Sequence, residues 1–263
     1  MRSRQTFAHL QPSRTSQIVA LIRSQLDRPS TPIGDADAQR KLCKGMRPGG
    51  GGSLRSSLVA RTRFFDQLVL KAISEGMGQV VMCGAGYDDR ALRFRAPAVT
   101  YFELDLPATQ ADKAARLRGM GADVRGLTLI PVDFRRDDLS ILLRGAGFQA
   151  GRPALFLCEG LLVYLDREEV LRLLKGLRLV AFRGSRLAAS LATHPEGRDS
   201  ARAVATLNKR RRTGTTEPWL TVLSIDGWLS LFSDSGWRPD GISAAGGRTG
   251  GMLLLTCEPD THL

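Results

Sequence analysis

The sequence predicts a doubly wound, mostly parallel α/β sheet, and three observations carry that prediction. Apolar runs of strand length recur from residue 79 onward, helical patterns separate most of them, and Gly84-Ala85-Gly86 stands where the first run gives way to a helix. The runs are continuous rather than alternating, as a sheet covered on both faces requires. Six strands are expected, over residues 79–83 (QVVMC), 99–104 (VTYFEL), 127–132 (LTLIPV), 154–158 (ALFLC), 186–192 (RLAASLA) and 251–257 (GMLLLTC). Helical spacing marks residues 108–118, 137–145, 166–180 and 225–235, the last with Ser224 as its N-cap.

Ahead of the sheet, Ile18, Val19, Leu21, Ile22 and Leu26 fall mostly on one helical face behind Ser13 or Thr15 as N-cap. A second helix is expected over 58–75, where Leu58, Phe65, Leu68, Val69 and Ala72 form a stripe that ends at Gly76. Pro29 and Pro32 interrupt the chain between them, and Pro48-Gly49-Gly50-Gly51-Gly52-Ser53 reads as a flexible loop. Residues 1–60 therefore read as a basic helical cover on a main domain of residues 61–263. Within that domain, residues 194–218 break the rhythm with a polar, basic stretch that includes Lys209-Arg210-Arg211-Arg212. An insertion after the fifth strand lies over the carboxyl edge of the sheet, so a substrate lid is assigned to 194–220.

The net charge of +12 is unevenly spread, because residues 1–63 hold 12 Lys/Arg against Asp27, Asp35 and Asp37. Such an end can steer nucleic acid, an acidic peptide or a carboxylate, or can simply be a solvated surface. No aromatic residues interleave with the arginines as stacking platforms for bases would. Cys43, Cys83, Cys158 and Cys257 show no paired spacing and three lie in apolar runs, which fits reduced thiols and a cytoplasmic location. No apolar stretch reaches the roughly 18 residues that span a bilayer, so no membrane association is expected. With three histidines and no His/Cys cluster, no metal site is expected either.

In an open α/β sheet, ligands bind beyond the carboxyl ends of the strands, so the residues after each strand are candidate site residues. Gly84, Ala85 and Gly86 let backbone approach a ligand at a helix N-terminus. Asp88, Asp89 and Arg90 follow where a dinucleotide fingerprint has its third glycine, which argues against NAD. Glu103 and Asp105, 17 and 19 residues beyond Gly86, are placed to accept from ribose hydroxyls. Asp133 and Phe134 set an acid beside a ring, the pair that an adenine amine and face require. Glu159, ending the fourth strand, suits a cationic group.

Four segments resemble the leucine carboxyl methyltransferase family, including its bacterial branch of S-adenosylmethionine-dependent methyltransferases. They are Arg61-Thr62-Arg63-Phe64-Phe65-Asp66, QVVMCGAGYDDR (79–90), YFELDLP (101–107) followed by Lys113, and CEGLLVYL (158–165). The resemblance covers residues 13 to 190 and implies a Rossmann-like class I methyltransferase sheet of seven strands. It implies S-adenosyl-L-methionine as cofactor, with Arg61 pairing the methionyl carboxylate, Gly84 on the cofactor loop and Asp105, rather than Glu103, holding the ribose. It also implies that Asp133 and Phe134 bind adenine, that Glu159 lies near the methionyl amino group, and that residues 13–42 help enclose the cofactor and form the acceptor pocket. Two departures stand out. Asp89 replaces a frequent threonine, so hydrogen bonding on the loop should differ, and the glycine run at 49–52 should make the cover mobile.

Methyl transfer from a sulfonium is an in-line displacement in which positioning dominates. A carboxylate acceptor needs no base, whereas a hydroxyl does, and His194 and Tyr164 are the candidate catalytic residues for that case. The expected function is O-methylation of a small-molecule or peptide acceptor, at a carboxyl group for instance, in specialised biosynthesis. The alternatives are methylation of RNA or a modified RNA base, and a non-catalytic binding module of the same fold. Oligomeric state leaves no mark on the sequence.

Overall fold

The computed structural model describes residues 11–47, 55–197, 199–210, 217–245 and 252–260. The chain divides by its internal packing into two compact units, residues 1–133 and 134–263, whose strands make up a seven-stranded, mostly parallel sheet.

The first unit contains α1 (Arg14–Arg23), α2 (Ala38–Leu42), α3 (Arg55–Ser74), β1 (Gln79–Cys83), α4 (Arg90–Arg93), β2 (Thr100–Asp105), α5 (Pro107–Gly119) and β3 (Leu127–Pro131). Its strands run parallel in the order β3-β2-β1, with Gln79 opposite Thr100 and Tyr101 opposite Leu127. The Ser13 side chain caps α1 by accepting from Ser16 N–H at 3.1 Å, as the sequence predicts. Three small apolar clusters seat the N-terminal segment. Ile18 and Ile22 pack with Leu58, Ala20, Cys43 and Met46 with Tyr87, and Ala38 and Leu42 with Leu92 and Leu117.

Between α1 and α2 the chain runs along the end of α4 and satisfies its terminal carbonyls, which a four-residue helix cannot pair internally. Thr31 N–H donates to Arg93 O at 3.1 Å, Asp35 N–H to Leu92 O at 3.0 Å, and the Thr31 hydroxyl to Arg95 O at 2.6 Å. The approach is so close that a Cβ on Gly34 would sit 1.8 Å from Arg93 O, which only glycine avoids.

The second unit contains α6 (Leu139–Gly145), β4 (Leu155–Cys158), one 3-10 turn (Leu162–Tyr164), α7 (Arg167–Arg178), β5 (Arg186–Ala192), α8 (Ser200–Arg210), α9 (Ile225–Asp234), β6 (Trp237–Ala245) and β7 (Met252–Pro259). Its strand order is β4-β5-β7-β6, with β4 and β5 parallel and β7 antiparallel to both of its neighbours. A capping box between Asp166 and Glu169 starts α7, and the Ser224 hydroxyl accepts from Gly227 N–H at the start of α9.

Strand β6 and helix α8 depart from the sequence expectation, as do the short helices α2 and α4. Strand β6 was not among the six predicted strands, because Arg238, Pro239, Asp240 and Gly241 carry no apolar run. It lies at the end of the strand order, where a register irregularity between Pro239 and Gly241 is tolerated. Helix α8 occupies the stretch read only as a polar insertion, and its Asn208 exchanges hydrogen bonds with the main chain of Trp219 at 2.8 and 2.9 Å. The glycine-rich run 48–53 and residues 211–212 of the basic run lie outside the described residues. All four cysteines are buried and free, and burial pushes the Cys43 thiol up to about 11. Among the described residues no helix is long and apolar enough to cross a membrane.

Trp237 anchors the second unit: fully buried, it donates from Nε1 to Leu174 O at 2.9 Å and meets Phe156 edge-on at 5.9 Å. Trp237→Ala is expected to lower the unfolding free energy by about 3–5 kcal/mol, measured by urea unfolding, because it opens a cavity in the core.

Candidate functional site

In the first unit the turn after β1 closes on the end of β2. Gly84 N–H and Ala85 N–H donate to Leu104 O at 2.8 and 3.0 Å, and Gly86 N–H donates to Asp105 Oδ2 at 2.7 Å. The φ angles of +68° at Gly84 and +52° at Gly86 are left-handed, which explains both glycines. All three loop amides are turned inward onto β2, so they do not form the open cradle that a pyrophosphate needs. Ser16 of α1 rests on Gly86, where a Cβ would lie 2.7 Å from its Oγ.

The two acids of β2 have different surroundings. Asp105 accepts from Gly86 N–H and, at 2.7 Å, from Leu106 N–H. A carboxylate has about four acceptor sites, so it can hold two amides and also accept from a vicinal diol. Glu103 is fully buried and ion-paired with Lys113. Val132 N–H donates to Asp105 O at 2.9 Å and ties the end of β3 to that of β2, so Asp133 follows on the same edge as Asp105. Arg61 lies on α3 and is buried.

Behind the loop is a network that the sequence reading missed. Asp66 takes Arg28 Nε and Nη2 at 2.7 and 2.9 Å and Arg90 Nε at 2.7 Å. Asp88 takes Arg23 Nη1 at 2.8 Å and Arg90 Nη1 at 2.6 Å, while Asp89 takes Arg28 Nη1 at 2.6 Å and Arg93 Nε at 2.7 Å. All seven side chains are buried. Burial opposes the charge on Arg28, but Asp89 and Asp66 more than offset it and hold the guanidinium above its ordinary pKa. The motif Arg61–Asp66 and the run Tyr87–Arg90 carry part of this network in the sequence, whereas Arg28, in a proline-interrupted stretch, carried no signal. Arg23 and Arg28 are buried, while Arg40 and Lys41 pair with Asp37 and Asp35 at the surface.

In the second unit Phe134 is buried, and Glu159 is half-buried beyond β4. The next residue, Gly160, donates its N–H to Ser190 Oγ of β5 at 2.8 Å. Tyr164 closes the 3-10 turn, also half-buried. His194 follows β5 with Nδ1 2.8 Å from Pro195 O and Nε2 2.9 Å from Ser200 Oγ. A carbonyl only accepts, so Nδ1 carries a proton.

A family model described as leucine carboxyl methyltransferase matches residues 17–178. A protein of Mycobacterium tuberculosis named "Putative S-adenosyl-L-methionine-dependent methyltransferase" is 35% identical over 204 residues, which are 73% of this chain and 65% of that protein. A similarly named protein of Mycolicibacterium smegmatis is 40% identical over 147 residues, 55% of this chain and 47% of its own length. The chain thus spans about two thirds or less of the curated relatives it matches. Among solved structures, magnesium protoporphyrin IX methyltransferase of Synechocystis PCC 6803 with bound SAH aligns with a TM-score of 0.55 at 14% identity, covering 85% of this chain and 93% of that one. The S-adenosylmethionine-dependent methyltransferase SibL aligns at 0.53 and 16%, covering 93% and 69%. These likenesses show the fold.

Burial raises the Glu103 carboxyl from 4.5 to about 7, with Lys113 pulling it back towards the ordinary range. The folded state then binds this proton more tightly than the unfolded chain. Its stabilising contribution is complete below about pH 4.5 and is lost as pH rises through about 7. The stability of the parent relative to Glu103→Gln, measured by urea unfolding, is therefore expected to fall across that window; a flat difference contradicts the assignment.

Proposed function

This chain belongs to the leucine carboxyl methyltransferase family, and from that membership we propose that it is an S-adenosylmethionine-dependent O-methyltransferase acting at a carboxyl group of a small-molecule or peptide acceptor. The observation that carries the cofactor reading is the closure of the Gly84-Ala85-Gly86 turn on Asp105 through the Gly86 N–H. That closure consumes the amides a dinucleotide would use and sets one acid at the edge for a diol.

In this reading Arg61 pairs the methionyl carboxylate, Asp105 accepts from the ribose, Asp133 and Phe134 hold the adenine, and Glu159 faces the methionyl ammonium. The bound cofactor supplies an electrophilic methyl on a sulfonium, and the residues of the chain contribute orientation and exclusion of water. A carboxylate acceptor is favoured over a hydroxyl because both ring nitrogens of His194 are engaged with Pro195 and Ser200, so the ring orders the start of α8. Carboxylates are ionised at neutral pH and need no base. Tyr164 is then a candidate for shaping the acceptor pocket. Methylation of RNA is disfavoured because Arg23 and Arg28 are spent on buried aspartates.

Calorimetry with S-adenosylhomocysteine tests the reading. The parent is expected to bind, and Arg61→Ala, Asp105→Ala and Glu159→Ala each to weaken binding by at least about tenfold, about 1.4 kcal/mol. Absence of binding, or indifference to all three substitutions, contradicts it. A non-catalytic module would bind the nucleotide yet release no S-adenosylhomocysteine when incubated with labelled cofactor and candidate carboxylates.

A further inference from the structure

Helix α5 carries Lys113 into the interior of the first unit, where its side chain is 1% exposed. Its ammonium donates to the Glu103 carboxylate and, at 2.7 Å, to the main-chain oxygen of Asp88. Glu103 Oε1 makes no hydrogen bond, although it is buried.

As a stabilising device this pair is a poor choice. Two apolar side chains of similar volume commonly do as well as a buried ion pair or better, and here one carboxylate oxygen is left unsatisfied. An apolar pair cannot, however, hold a main-chain carbonyl. Asp88 lies two residues beyond Gly86, on the turn that closes over β2. Glu103 and Asp105 are two residues apart on β2 and project to the same face. Beyond the Gly84 and Ala85 amides on Leu104 O, two side chains of the strand hold the turn: Asp105 bonds directly to Gly86 N–H, and Glu103 reaches Asp88 O through Lys113. Of these two side-chain points the first is at Gly86, left-handed and without a side chain. The second point fixes the direction in which the turn leaves it. The Asp88 carboxylate is held separately by Arg23 and Arg90, whereas Lys113 bonds to its main-chain oxygen.

We propose that Lys113 is a positioning residue for the cofactor turn, aligning Gly84-Ala85-Gly86 against β2 through the Asp88 carbonyl while touching no reactant itself. The proposal rests on the S-adenosylmethionine reading of the site. It predicts that Lys113 matters to cofactor affinity in a way that neutralising Glu103 does not replace.

The test compares melting temperature with S-adenosylhomocysteine affinity in the full chain. Lys113→Met alone is expected to lose both, since it strands a buried carboxylate. The double variant Glu103→Met/Lys113→Met removes both charges and is expected to melt close to the parent. It should nevertheless bind S-adenosylhomocysteine roughly tenfold more weakly, the equivalent of one charge-assisted hydrogen bond. Glu103→Gln/Lys113→Met is the second pair, to be read in the same way should the first not fold. A double variant that recovers both melting temperature and affinity overturns the proposal and reduces Lys113 to a counter-charge. A parent that binds no S-adenosylhomocysteine overturns the cofactor reading itself, and this proposal with it.

Discussion

Seven buried charges, Asp66, Asp88 and Asp89 with Arg23, Arg28, Arg90 and Arg93, govern how the first unit is assembled. Removing such groups from water costs several kcal/mol each, and their mutual attraction offsets that cost only when every donor and acceptor is met. The fourth arginine is accommodated because main-chain oxygens take the surplus donors. Arg93 reaches the carbonyls of Arg28, Pro29 and Ala36, and Arg90 reaches that of Thr62. Such a network adds little net stability over an apolar core, but few arrangements of the chain satisfy it. It therefore selects one docking of residues 23–36 against the turn that follows β1.

That selection changes what the N-terminal segment is. A cover joined to the main domain by a glycine-rich run reads from sequence as a mobile piece. In the structure residues 14–46 pack in three apolar clusters, cap the exposed carbonyls of α4 and supply two of the four buried arginines. The segment is thus part of the wall behind the Gly84-Ala85-Gly86 turn. Part of its positive charge, that of Arg23 and Arg28, is spent inward on buried aspartates.

The parallel core was legible because buried strands write their burial into the sequence as unbroken apolar runs, and β1 and β5 were read to their final residues. Strand β6 was not, since an edge strand containing Pro239 and Gly241 carries no such run. Helix α8 was hidden by its polar composition, and α2 by its length. At the site, the glycine turn and Asp105 were legible from spacing after a strand, but spacing left Glu103 as an equal candidate. The family resemblance preferred Asp105, with weak support from side-chain alternation, and in the structure Glu103 is ion-paired with Lys113. Arg28 was illegible in principle: it meets Asp66 and Asp89 across 38 and 61 residues, and no local pattern encodes such a contact.

Hydrogen exchange at single-amide resolution tests whether the N-terminal segment and the turn form one cooperative unit. The amides of Thr31 and Asp35, bonded to Arg93 and Leu92, should exchange in the parent with the same protection as the Arg93 amide, which is bonded to Asp89. All three should lose protection together in Arg28→Met. Free exchange of Thr31 and Asp35 in the parent, with Arg93 still protected in Arg28→Met, would contradict the account and return the segment to the status of a loose cover.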